Sequence, residues 1–275
     1  MEVSSSLAMV KEHMVIDSSF LSRTVWVDIY APAGIRHLGS SDLLLINDGQ
    51  DLSAMQFGSL VEDLYSNGRI GPLVVAGIHA GTDRKNEYGT AGIPDYMGRG
   101  AKAGAYTDFV LEELMPALCD WYQDHSFKSR SIAGFSLGAL SALDILWNHP
   151  QEFGKVGAFS GSFWWRTKDK TAPDYDEDIH RIMHRQIATG DYHPGLRFFF
   201  ECGTEDERED RNHNGIIDSI DDTLDLIKQL TKKGYDHPND ICYVEVAGGR
   251  HEVATWAQVM PQFLLWGWGT TNVKG

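Results

Sequence analysis

The sequence is short of cysteine, of positive charge and of long apolar runs, and each shortage removes a class of function. Only Cys119, Cys202 and Cys242 stand in 275 residues. They lack the paired spacing of a zinc site, and an odd number cannot close into a complete disulfide framework. Buried free thiols in a reducing compartment are expected. Lysine and arginine total 24 against 39 aspartates and glutamates, a formal net charge of −15. That balance argues against nucleic acid and anionic membrane surfaces as partners. No run approaches the roughly 20 apolar residues of a membrane-spanning helix. The N-terminal stretch MEVSSSLAMVKEHMVIDSSF has neither a basic start nor a continuous apolar segment. No signal peptide is therefore expected, and the expected location is cytoplasmic. Internal repeats and low-complexity tracts are lacking too.

What the chain does have is length and a hydrophobic content of 42%, enough for one sizeable α/β domain over residues 1–275. An alternating early strand is expected at 23–31, and buried strands at 42–46, 73–78, 155–159, 196–202 and 241–246. Helical patterns fall at 52–65, 105–122 and 223–233, with a last helix running to Leu265. Strands alternating with helices predict a mostly parallel sheet covered on both faces. The segment 160–195, with its paired tryptophans and charged middle, reads as a cap, and 207–222 as an insertion.

The stretch 129–146, SRSIAGFSLGALSALDIL, holds the pentapeptide Gly134-Phe135-Ser136-Leu137-Gly138 between a strand pattern and a helix pattern. That is the context of a nucleophile elbow, which lifts a serine hydroxyl above the sheet. Serine is a poor nucleophile at neutral pH and needs a base. His251 follows the last strand in a glycine-bounded turn. The acid that orients it is expected at Asp206, after the strand ending at 202, with Glu205 and Glu207 as rivals. The order Ser136…Asp206…His251 is that of α/β-hydrolases. An oxyanion hole needs two backbone amides, expected from Leu137 and from the Asp48-Gly49-Gln50 turn, with Gln50 the donor.

The segments LLLINDGQDL, VVAGIHAGTDRKNEY, EELMPAL, GFSLGAL, SGSFWW, ECGTEDE and GGRHEVATWAQVMPQFL resemble the putative-esterase family of α/β-hydrolases. That family includes enterobactin, feruloyl and acetylxylan esterases, S-formylglutathione hydrolases (esterase D) and mycolyltransferases. The resemblance runs from about Val15 to Trp268, and SGSFWW with Arg84…Glu87 is most similar to the enterobactin esterase branch. It implies a serine carboxylic ester hydrolase working through an acyl-enzyme, with Ser136, Asp206 and His251 in the triad positions. The Tyr88–Gly104 insertion and the loop after Asp206 are longer than that branch suggests. An acyltransferase with the same triad, or an inactive calcium-dependent binding protein, are the alternatives.

Within the acidic segment 205–222, which carries eight acids and two arginines, Asp210, Asn212, Asn214, Gly215, Ile216 and Asp221 match the calcium loop of an EF-hand. Side-chain oxygens fall at loop positions 1, 3 and 5, the Ile216 carbonyl at 7, and the carboxylates of Asp218 and Asp221 at 9 and 12. The expectation is a structural Ca²⁺ and no cofactor for catalysis. Trp164, Trp165, Tyr88 and Tyr96 are candidates to hold an aromatic or sugar-like substrate group. Arg84 is a candidate for a substrate carboxylate, with internal pairing to Glu87 the stronger reading. The expected partner is a small-molecule ester, and a homo-oligomer is compatible with the sequence.

Overall fold

In a strand, four consecutive apolar residues such as Leu43 to Ile46 can all be buried only if both faces are covered, and all four are fully buried. The computed structural model describes residues 8–35, 38–124 and 126–270. The first seven residues of the stretch read for a signal peptide lie outside the described residues. Eight strands, β1 (Met9–Ser18), β2 (Arg23–Pro32), β3 (Asp42–Asn47), β4 (Leu73–Ile78), β5 (Ser129–Phe135), β6 (Lys155–Phe159), β7 (Arg197–Glu205) and β8 (Ile241–Arg250), form one sheet. Their spatial order is β1-β2-β4-β3-β5-β6-β7-β8. β2 runs antiparallel to both β1 and β4, and every other neighbouring pair is parallel. Side chains alternate between two cores. Leu43, Leu45, Val74, Ala76 and Ile132 pack on one face, and Leu44, Ile46, Val75, Ala133 and Phe135 on the other.

Nine α-helical segments among the described residues cover these faces and bridge the loops: α1 (Phe57–Ser66), α2 (Arg84–Glu87), α3 (Ala103–Asp108), α4 (Met115–Trp121), α5 (Leu137–Asn148), α6 (Glu177–His180), α7 (Ile182–Thr189), α8 (Asp218–Lys233) and α9 (Val253–Trp268). A π-helical stretch, Phe109–Leu114, joins α3 to α4. None is long and apolar enough to cross a membrane. The cap segment contains only α6 and α7 as regular structure. All three cysteines are free; Cys202 is buried, whereas Cys119 and Cys242 are only partly so.

The structure differs from the sequence reading where it matters most for the site. β7 runs three residues past 202, and β8 four past 246. After an irregularity near Gly203, Glu205 is the register partner of Arg250. The residues that follow, Asp206 and His251, therefore leave two adjacent strands from matching positions. β1 escapes a periodicity reading because it is the sheet edge and mixes exposed polar and apolar residues along its length.

Candidate active site

Ser136 sits between the end of β5 and the start of α5 at φ 55°, ψ −120°, a conformation a side chain rarely adopts. Its surroundings hold it there. Ser136 N donates to the Phe159 carbonyl at 2.9 Å, and its own carbonyl accepts from Ser162 N at 3.2 Å. Gly134 is required because a Cβ would stand 2.3 Å from the Gly138 carbonyl oxygen across the turn. The Ser136 and Ser162 hydroxyl oxygens are 3.4 Å apart. Leu137 opens the twelve-residue α5. Its N–H thus has no intrahelical acceptor, and the positive end of the helix dipole faces the serine.

The turn after β3 stands beside this elbow. Asn47 Nδ2 donates to the Gly138 carbonyl at 2.8 Å, and Tyr106 Oη to Asn47 Oδ1 at 2.6 Å. Gly49–Asp51 is a single 3₁₀ turn. Gln50 is anchored through its side chain, whose Oε1 accepts from Ala80 N at 3.0 Å. Its backbone N–H is among the unsatisfied donors at the start of that turn.

Asp206 and His251 line one small cleft with Ser160, Gly161, Ser162, Trp164, Glu207 and Ser219, of about 80 Å³. Neither Asp206 oxygen accepts a well-formed hydrogen bond, although both are shielded from solvent. Burial raises the Asp206 pKa; the Ser160 hydroxyl, the Gly203 amide and the His251 charge pull the other way without cancelling it. His251 is exposed at the rim, with its ring edge-on to Trp256 at 5.5 Å. Protein atoms still withdraw enough water to push its pKa down. Arg84 adds to that shift and Asp206 opposes it. Among the rival acids, Glu205 is exposed and pairs with Arg250 at 3.2 Å. Glu207 lines the cleft, but it is Asp206 whose charge acts on the imidazole.

Three substrate-binding expectations require correction. Tyr88 and Trp165 have no exposed surface. Tyr88 packs edge-to-face on Tyr106 at 5.1 Å, and Trp165 is covered by Trp164 and Arg99. Both are core residues, recruited by contacts from distant parts of the chain. Arg84 is already engaged by a carboxylate of the chain itself, and that carboxylate is not Glu87. Arg84 grips Asp48, while Arg23 takes Glu87 at 2.7 Å. Trp164 alone of the pair remains partly exposed and borders the cleft. Tyr96 is exposed beside Arg166.

Sequence reasoning missed Ser160 and Ser162. Ser160 is buried at φ 45° and receives the Trp256 indole N–H at 2.9 Å. The doubled serine in SGSFWW was the available signal, hidden because it begins what reads as a cap.

In the acidic loop, Asp210 accepts from Asn214 N at 3.1 Å and Gly215 N at 2.9 Å. The Asn212 and Asn214 amides both reach Asp221 Oδ2 at 2.8 Å. Ile216 N donates to Asn214 Oδ1 at 2.8 Å. Asp218, at loop position 9, instead turns inward to Arg211. Among the described residues no three His, Cys, Asp or Glu side chains form a metal-holding group; the loop's facing donors are two carboxylates and two amides.

A family model described as "Putative esterase" matches residues 18–266. The uncharacterized protein YbbA of Bacillus subtilis is 24% identical over 237 residues, covering 84% of this chain and 87% of its own length. The enterobactin esterase FES from Shigella flexneri, solved in the presence of enterobactin, has a TM-score of 0.71 at 21% identity. That match covers 93% of this chain and 58% of FES, so the chain spans just over half the length of that relative. The siderophore hydrolase EstB from Aspergillus nidulans matches at a TM-score of 0.68 and 17% identity, over 96% of this chain and 95% of EstB. At such identities the structural likeness establishes the α/β-hydrolase fold of these esterases. The family model spans nearly the whole chain: this protein belongs to the putative-esterase family.

Proposed function

We propose that the protein is a serine carboxylic ester hydrolase. The observation that carries this reading is the register of β7 on β8, which starts Asp206 and His251 side by side in the cleft bordered by Ser162, the neighbour of Ser136. Ser136 Oγ attacks the ester carbonyl carbon as His251 takes its proton, and Asp206 stabilises the resulting imidazolium. The carbonyl oxygen, now negative, is met by the Leu137 and Gln50 N–H groups. Collapse of the intermediate breaks the bond to the alcohol, which leaves with the proton from His251. Water then releases the acid from Ser136 by the same steps in reverse. The cleft beside Asp206 and His251 is small, about 80 Å³. The bulk of a larger ester would rest on the open rim at Trp164 and His251.

Turnover of p-nitrophenyl acetate tests this. Ser136→Ala should abolish it with the melting temperature preserved, and undiminished turnover refutes the reading. With an alcohol acceptor present, free acid as the product marks hydrolysis, and a new ester marks acyl transfer.

We also propose that the 210–221 loop holds a structural calcium ion, through the side chains of Asp210, Asn212, Asn214 and Asp221 and the Ile216 carbonyl. Support comes from the two amides and the position-12 carboxylate already facing one another. The ion would tie down a loop rooted beside Asp206.

A further inference from the structure

The turn that carries Gln50 is held against its own backbone preference. Asp48 is a non-glycine residue at φ 60°, ψ 41°, in the left-handed region. Its side chain is 3% exposed, so the carboxylate needs a partner within the protein. Arg84 supplies a two-pronged one, with Nε donating to Oδ1 at 2.6 Å and Nη2 to Oδ2 at 2.7 Å. The Tyr88 hydroxyl accepts the Asp48 N–H at 3.1 Å. Gly138 provides the space, since a Cβ there would stand 2.7 Å from Asp48 Oδ2. The same Arg84 Nη2 donates to the Phe135 carbonyl at 3.3 Å, the residue immediately before Ser136.

We infer that Asp48 and Arg84 are a positioning pair, which ties the oxyanion turn to the nucleophile elbow and holds the Gln50 amide at a set distance from Ser136. An oxyanion donor works only if it is in place before charge develops, because reorganising it during the reaction would consume the stabilisation it offers. Gln50 follows β3 and Ser136 follows β5, paired parallel strands far apart in the sequence, and one guanidinium touches the chain at the end of each. A glycine at position 48 would adopt the backbone angles just as well but would leave the turn free to swing. Lysine at position 84 would keep the charge and lose the planar fork. This inference rests on the esterase reading of Ser136.

Arg84→Met and Arg84→Lys test it, with active sites counted as the fluorophosphonate bound at completion. In Arg84→Met, kcat for p-nitrophenyl acetate per labelled serine should fall by about 10- to 100-fold, as for a displaced oxyanion donor. KM should stay within about threefold, because the pair acts on the transition state and not on substrate binding. Arg84→Lys should lie between Arg84→Met and the wild type. Two results overturn the inference: kcat per labelled serine unchanged in both variants, or a raised KM with kcat unchanged. If Arg84→Met yields no folded protein, Arg84→Lys decides by the same criteria. A wild-type protein that neither turns over nor is labelled refutes the esterase reading, and the pair with it.

Discussion

His251 meets two opposing charges at the end of β8. Asp206 favours its protonated form, whereas partial loss of water to the surrounding protein atoms and Arg84 disfavour it, and the sum lies below the ordinary imidazole pKa. A general base must be neutral to accept the serine proton. The acid limb of kcat/KM should therefore have its midpoint below the usual value of about 6.5. Replacing Asp206 by Asn removes the one influence that raises the pKa, so the midpoint should move lower still while the rate falls. A pH–rate profile of both proteins checks this, and a midpoint that rises in Asp206→Asn contradicts it. The limb reports the interacting pair and not one residue alone. The placement of Ser136, Asp206 and His251 just past the ends of β5, β7 and β8 was legible in the sequence because each follows a recognisable strand pattern. The Asp48–Arg84 pair was not, because the partners lie 36 positions apart and Glu87 offered a nearer carboxylate.

At the scale of elements, the sequence shows where strands begin better than where they end. β7 and β8 run on through Gly203-Thr204-Glu205 and Ala247 to Arg250, composition that resembles turns. Each supplies the other's hydrogen bonds there, and local propensity does not contain that partner. Tyr88 and Trp165 were misplaced for a related reason. They stand in irregular segments, where aromatics look available, yet Tyr106, Gly89 and Gly100 close around them from elsewhere. The acidic loop is the reverse case, an element whose local pattern carries its own chemistry. If it binds calcium, ion at about 100 times its Kd should stabilise the fold by about 2.7 kcal/mol. Melting should then occur several degrees higher with calcium than with chelator, and Asp210→Ala should erase the difference. Identical melting in calcium and chelator returns the loop to an ordinary acidic turn.

Across the whole molecule, one sheet edge accounts for the site. In the spatial order β3-β5-β6-β7-β8, the carboxyl ends deliver in turn the Asp48–Gln50 turn, Ser136, the Ser160–Ser162 segment, Asp206 and His251. Residues 48 and 251, more than 200 positions apart in the chain, thereby end within one site, as expected at the carboxyl edge of an open α/β sheet. The alternation of strands and helices made this architecture readable in the sequence, and the family match over residues 18–266 agrees with it. Strand order itself was not readable, because periodicity says nothing about neighbours across the sheet. The central claim is that this edge makes Ser136 a nucleophile. Intact-protein mass spectrometry after treatment with a fluorophosphonate tests it most directly. One adduct, mapped to Ser136 and lost in both Ser136→Ala and His251→Ala, is the predicted result; an unmodified wild-type protein, or an adduct that survives in Ser136→Ala, would contradict it.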